Sequence, residues 1–335
     1  MSAPQPLLAI LWFLLLGFIL LIYVVLDGFD LGVGILSLFG GDRRRSSFIE
    51  SLGYTWHANQ TWLVVLGGLL FGAFPLAYGV ILSGLYIPLI AMLAGLIFRG
   101  VSLEFRTQAR NPAFWEWAFG LGSLTTSLTQ GFILGGLLSG LKVAGSSFAG
   151  SGWDWLNPFA ALVAVGLTLG YSLLGATFMI IKNDGEMRSW SRRWAGPAAW
   201  AALIAALAAI VDAICRHSFL WSRWFSWPGL LLTWPSLLCG LATFVLLMRS
   251  LSAGRRYTAP FLYSLLFFGF FFLCLAGSLY PFLIPYQVTV GLAAAQRLIL
   301  KIMLAVTAVL LPLILAYNAY QYRVFRTRGR EGLGK

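Results

Sequence analysis

Apolar stretches of about twenty residues recur along almost the whole chain. A spanning helix needs roughly that length, because the hydrocarbon core of a bilayer is about 30 Å thick. In lipid every backbone N–H and C=O must be satisfied internally, so such stretches fold as helices. Nine are read here, with cores at 7–27, 57–74, 78–98, 114–140, 157–181, 196–215, 228–248, 260–282 and 298–321. The first runs on past its core towards Phe39. Hinges are expected at Phe74-Pro75, Asn157-Pro158 and Trp227-Pro228, because proline disfavours a continuing helix at itself and at the residue before it. The expected fold is all-α, a polytopic membrane protein with no internal repeat.

Composition agrees. Of 335 residues 59% are hydrophobic and 10% charged, and the mean hydropathy is +0.84. The net charge of +12 would suggest nucleic acid in a water-soluble chain; here it reflects loop charges that set topology. With the N-terminus outside, the inner loops hold 18 Lys and Arg and the outer loops 5. The opposite orientation reverses that bias, so the expectation is N-out and C-in, with a cytoplasmic tail over 324–335. The first apolar run is too long for the core of a cleaved signal, and Arg43 is the first basic residue. The three cysteines, Cys215, Cys239 and Cys274, are isolated and read as packed thiols.

Against this background the end of the first segment stands out: Leu26-Asp27-Gly28-Phe29-Asp30-Leu31-Gly32-Val33-Gly34. Ionisable groups inside an apolar span are costly and mark functional sites. Asp27 and Asp30 share a helix face, and Gly28 and Gly32 have the small-xxx-small spacing that lets another helix approach closely. Proton transfer and simple anchoring of the helix end are both open on residue types alone. The expected topology brings Trp56, His57, Asn59, Gln60 and Trp62, at the start of the second helix, to a similar depth. Arg99 and Glu104 lie near the same end of the third. Arg99 can pair with an acid there or snorkel to the interface.

Other chemistries find few residues. There are two histidines, His57 and His217, too few for a chain that ligates haems by itself. No Cys/His/carboxylate metal cluster and no phosphate-cradling glycine loop is present, so no metal or cofactor is expected on this chain's own ligands.

The 26–34 stretch resembles the signature of subunit II of cytochrome bd-type quinol oxidases. The likeness extends through Trp56-x-x-Asn59-Gln60-x-Trp62, Leu70–Tyr78, Leu82–Leu89, Phe98-Arg99-Gly100-Val101, Glu104-Phe105-Arg106, Ser278–Phe282 and Leu311–Asn318. The tail pattern is closer to the cyanide-insensitive branch. The resemblance implies two four-helix bundles (1–141 and 155–283) and a peripheral ninth helix (297–323) in the bacterial cytoplasmic membrane. It implies a partner, subunit I, bearing haems b558, b595 and d and oxidising quinol, while dioxygen is reduced to water with protons from the cytoplasm. It leaves room for a small single-helix third subunit, for lipid contacts and for a structural quinone, whose residues the sequence does not identify. Asp27, Asp30, His57, Asn59 and Gln60 would form the proton path, supported by Trp56, Trp62, Arg99 and Glu104. His57 departs from the acid usual in the family, and an imidazole can still relay. The segment 289–295 also departs, lacking the usual Trp. A proton-coupled secondary transporter, with Asp212 as a second site, and a purely structural subunit are the alternatives on the bare sequence.

Overall fold

A computed structural model describes residues 6–53, 56–254 and 256–331; the side chains of 6, 42, 43 and 322–331 are not described. Tyr54 and Thr55, expected to lead into the second helix, lie outside the described residues, as do Arg255 and residues 332–335 of the expected tail.

The chain is a set of long helices tied by short loops. In order they are α1 (Pro6–Ser37), α2 (Asp42–Leu52), α3 (Trp56–Ala73), α4 (Pro75–Gly84), α5 (Tyr86–Phe105), α6 (Pro112–Leu138), α7 (Pro158–Lys182), α8 (Gly185–Arg216), α9 (Ser218–Phe225), α10 (Gly229–Ala253), α11 (Ala259–Leu279), α12 (Val290–Ala293) and α13 (Arg297–Glu331). Two small antiparallel hairpins close loops: β1 (Val143–Ala144) with β2 (Ser147–Phe148), and β3 (Phe282–Ile284) with β4 (Val288–Thr289).

Among the described residues seven helices are long and apolar enough to cross a membrane: α1, α5, α7, α8, α10, α11 and α13. The expected second and fourth spans coincide with α3 and α6, which fall outside that set. Their sequences explain this. α3 begins with His57, Asn59, Gln60 and Thr61, and the middle of α6 carries Ser123, Thr125, Thr126, Ser127, Thr129 and Gln130. The expected third span, 78–98, needs a correction. The helix is interrupted at Leu85 (φ −121°, ψ 20°), so 75–84 is a separate short helix and the long one runs from 86 to 105. Pro88 has no N–H to give the carbonyl of Gly84, so the helical ladder cannot pass through. The breaks at Phe74-Pro75, Asn157-Pro158 and Trp227-Pro228 fall where proline predicts them; Asn157 caps α7 by accepting from the Ala160 N–H at 2.9 Å.

α7 is the axis of the packing. Every residue from Gly170 to Ile180 is buried, against α1, α6, α8 and α11. The largest core runs through Leu31 and Leu36 of α1, Phe48 of α2, Phe119 of α6, Leu173 and Met179 of α7, Leu247 of α10 and Phe267 of α11. A second core joins Trp12 of α1, Phe74, Val80 of α4, Leu141, Ile284 of β3 and Leu300 of α13. At one end of the helices α2 is pinned by ion pairs: Arg106 reaches Glu116 (3.1 Å) and Glu50 (3.2 Å), Ser46 donates to Glu116 (2.6 Å), and Arg44 pairs with Glu186.

Candidate functional site: a buried carboxylate pair

Asp27 and Asp30 leave α1 on its interior side and are 1% and 0% exposed. Arg99 of α5, itself 0% exposed, meets both. Its Nη1 lies 2.7 Å from Asp27 Oδ1 and its Nη2 3.4 Å from Asp30 Oδ2. Of the two roles open to Arg99 in the sequence, the structure selects pairing; the guanidinium does not snorkel. The reason lies in how α5 meets α6. A Cβ at Gly122 would stand 2.8 Å from the carbonyl oxygen of Gly95 and 3.0 Å from the nitrogen of Arg99. The two glycines let the backbones touch, which draws the start of the arginine side chain into the interior. A planar guanidinium presents a rigid fork of donors that can hold two carboxylates in fixed positions, where an ammonium would be a compact point charge. Asn59 of α3 completes the set, donating through Nδ2 to Asp30 Oδ2 (2.8 Å) and to the carbonyl of Leu26 (3.2 Å).

Gly28 and Gly32 of the motif face α7, while Gly34 faces Ser123 and Phe119 of α6. A Cβ at Gly28 would lie 2.7 Å from the Tyr171 ring, and one at Gly32 would lie 1.8 Å from the Tyr171 carbonyl oxygen. The helix that the small-xxx-small spacing admits is therefore α7, because Gly175 offers the matching gap.

Other members of the predicted set stand apart. His57 is about half exposed; its Nε2 is 3.4 Å from Glu104 Oε1 and its ring stacks on Trp56 at 3.5 Å. The two form a second polar pair that does not touch the carboxylates. Trp56 is buried beside Gly100, and Trp62 is fully buried. Among the described residues Gln60 Nε2 and Trp62 Nε1 are buried without a hydrogen-bond partner, as are Asp27 Oδ2, Asp30 Oδ1 and Arg99 Nε.

Three residues that sequence reasoning missed extend the site. Tyr171 of α7 donates to Gln130 Oε1 of α6 (2.7 Å), and Gln130 Nε2 donates to the Tyr23 hydroxyl of α1 (2.6 Å). Their separations of 41 and 107 residues hide the relationship. The only signal was a glutamine inside an otherwise apolar and hydroxyl-bearing span. All three line a mostly apolar cavity of about 450 Å³ among α1, α6, α7, α8 and α11. Towards the other end of the cavity Tyr286 stacks on His217 at 4.0 Å; burial, and then Arg216, push the His217 imidazole below its ordinary value. Among the described residues no three His, Cys, Asp or Glu side chains come together as a metal site.

Chemically, the buried set holds two carboxylates and one guanidinium. With both acids ionised it carries one net negative charge, and one proton neutralises it. A buried net charge is costly, so such a set favours holding one proton.

Residues 8–325 match the family model of cytochrome bd terminal oxidase subunit II. The chain is 30% identical to cytochrome bd-I ubiquinol oxidase subunit 2 of Escherichia coli, over 93% of this chain and 92% of that one. It is 28% identical to cytochrome bd ubiquinol oxidase subunit 2 of Bacillus subtilis, over 95% and 96%. Its fold resembles a chain in the structure of bd oxidase from Geobacillus thermodenitrificans, with a TM-score of 0.76 at 20% identity, covering 95% of this chain and 98% of that one. With seven long apolar helices among the described residues, this is a multi-pass protein of the bacterial inner membrane, part of an oxidoreductase complex, and it belongs to the cytochrome bd terminal oxidase subunit II family.

Proposed function

We propose that the chain is the non-haem subunit of a bd-type quinol:oxygen oxidoreductase and that Asp27, Asp30 and Arg99 form a proton-holding station on a cytoplasmic path to a haem-bearing subunit I. The observation that carries this reading is the charge count: two buried acids share one guanidinium, so the station is neutral only with one proton aboard. Half-exposed His57 and Glu104, near the end where α3 begins, are the entry, and Gln60 and Asn59 lead inwards. His57 takes the relay role of an acid, since one ring nitrogen accepts while the other donates.

The reading includes nine spans, arranged as two four-helix bundles (1–141 and 155–283) and a peripheral α13, with the N-terminus outside. In that arrangement α3 and α6 cross as well, their polar residues facing other helices rather than lipid. Subunit I supplies haems b558, b595 and d and the quinol chemistry, and a small third subunit can join. The cavity of about 450 Å³ has the apolar lining that a structural quinone would need. A proton-coupled transporter would also use buried acids, but membership of an oxidase family disfavours it.

The test is oxygen consumption by the purified complex carrying Asp27→Asn or Asp30→Asn. Turnover is expected to fall at least tenfold with haem content unchanged. Normal turnover in both variants would reduce the acids to anchors.

A further inference from the structure

Tyr23, Gln130 and Tyr171 are 3%, 8% and 1% exposed. Three polar groups buried in an apolar bundle are costly unless satisfied, and here they satisfy one another in one direction. Tyr171 gives its proton to Gln130 Oε1, and Gln130 gives one to the Tyr23 oxygen. The Tyr23 hydroxyl proton is left unspent by the ladder. One helical turn further on, on the same face of α1, Asp27 Oδ2 is a buried carboxylate oxygen with no hydrogen bond among the described residues. Tyr23 and Asp27 are four residues apart on α1, the spacing at which helical side chains are neighbours. Gly28 makes the arrangement possible, because any larger residue there would collide with the Tyr171 ring.

We propose that Gln130 is a positioning residue for the carboxylate pair: by holding Tyr23 between itself and α1 as a donor aimed at Asp27, it sets how the pair's single proton is divided between Asp27 and Asp30. The two acids are then treated alike. Arg99 serves both, Asn59 donates to Asp30 directly, and Gln130 supports Asp27 through Tyr23. The groups facing Asp27 are Arg99 from α5, Asp30 and Tyr23 on α1 and Tyr171 from α7, with Gln130 of α6 behind the tyrosines. Had the amide the reverse orientation, Tyr23 would spend its proton on Gln130; an ionised Asp27 favours the orientation seen.

This rests on the proton-station reading, and the test separates the two. In the purified complex, infrared absorption of protonated carboxyl groups is compared at neutral pH between the unaltered protein and Tyr23→Phe, Gln130→Met and Tyr171→Phe. Assembly is checked by haem content. The expected result in Tyr23→Phe is a rise of about twofold in the part of the absorption that Asp27→Asn removes, at the expense of the part that Asp30→Asn removes, with a smaller transfer in Gln130→Met and the least in Tyr171→Phe. No such rise is expected when Tyr23→Phe is combined with Asp27→Asn. Packing damage would give a different order, because Tyr171 is the most buried of the three. Unchanged absorption in an assembled Tyr23→Phe complex overturns the proposal. A changed absorption with an unmoved pH profile of oxygen consumption leaves the ladder standing and removes the station from the proton path.

Discussion

Gly32 of α1 and Gly175 of α7 touch backbone to backbone: a Cβ on Gly175 would lie 2.3 Å from the carbonyl carbon of Gly32. This crossing presses the carboxylate segment of α1 against the most buried helix of the protein. Gly32→Ala is expected to force the helices apart and to cost about 1–3 kcal/mol, since neither neighbour is a side chain that can swing away. A lower apparent unfolding temperature of the purified complex would be the readout. Gly67→Ala, where nothing lies within 4 Å of the added methyl, should leave that temperature nearly unchanged.

Arg99 is the only cation seen in contact with the two acids among the described residues. Arg99→Met would leave two buried carboxylates uncompensated, at about 3–5 kcal/mol, and assembled complex should be largely lost. Adding Asp27→Asn and Asp30→Asn to Arg99→Met removes the charges together. That triple variant should recover assembly, measured as haem-containing complex per amount of membrane, without recovering oxygen consumption. Failure to recover assembly would mean that Arg99 holds the fold by packing rather than by charge.

His57 and Glu104 are each about half exposed, so their mutual attraction is worth no more than about 1 kcal/mol. His57→Ala should therefore hardly alter stability, yet oxygen consumption should fall several-fold if the imidazole passes protons inwards. His57→Asp should restore much of the loss. Near-normal turnover in His57→Ala would take this residue off the path.

The pH dependence of stability offers a check at the other end of the cavity. His217 is held below its ordinary value of 6.5 by burial and then by Arg216, so the folded state disfavours the imidazolium. Below that value the unfolded chain binds the proton first, and stability falls as pH drops; above it the contribution is complete. His217→Phe keeps a ring against Tyr286 and cannot titrate. Between pH 7.5 and 5.5 the unfolding temperature of this variant should decline less steeply than that of the unaltered complex.

Much of the fold was legible because the bilayer imposes it. Apolar runs of spanning length and prolines at three junctions located most of the helices. The division of 75–105 is not legible in the pattern, because Leu85 is apolar and the break comes from Pro88, four residues after Gly84. The carboxylate motif was legible too: charges in an apolar run announce themselves. Arg99 was ambiguous, since an arginine near a helix end is at home at the interface or, given a partner, inside. Only the Gly95–Gly122 contact resolves it.

By itself, then, the sequence determined that this chain is helical, membrane-embedded, poor in haem ligands and marked by an acid pair at Asp27 and Asp30. Composition and period depend on local chemistry and the solvent, and both are written residue by residue. The tertiary structure decided which groups the acids meet. It chose Arg99 and Asn59 as their direct partners, turned Gly28 and Gly32 towards α7, placed His57 with Glu104, and joined Tyr23, Gln130 and Tyr171 into one ladder. Those outcomes depend on helix crossings between residues dozens to more than a hundred positions apart. They are fixed by where small residues let backbones touch, which no local pattern records.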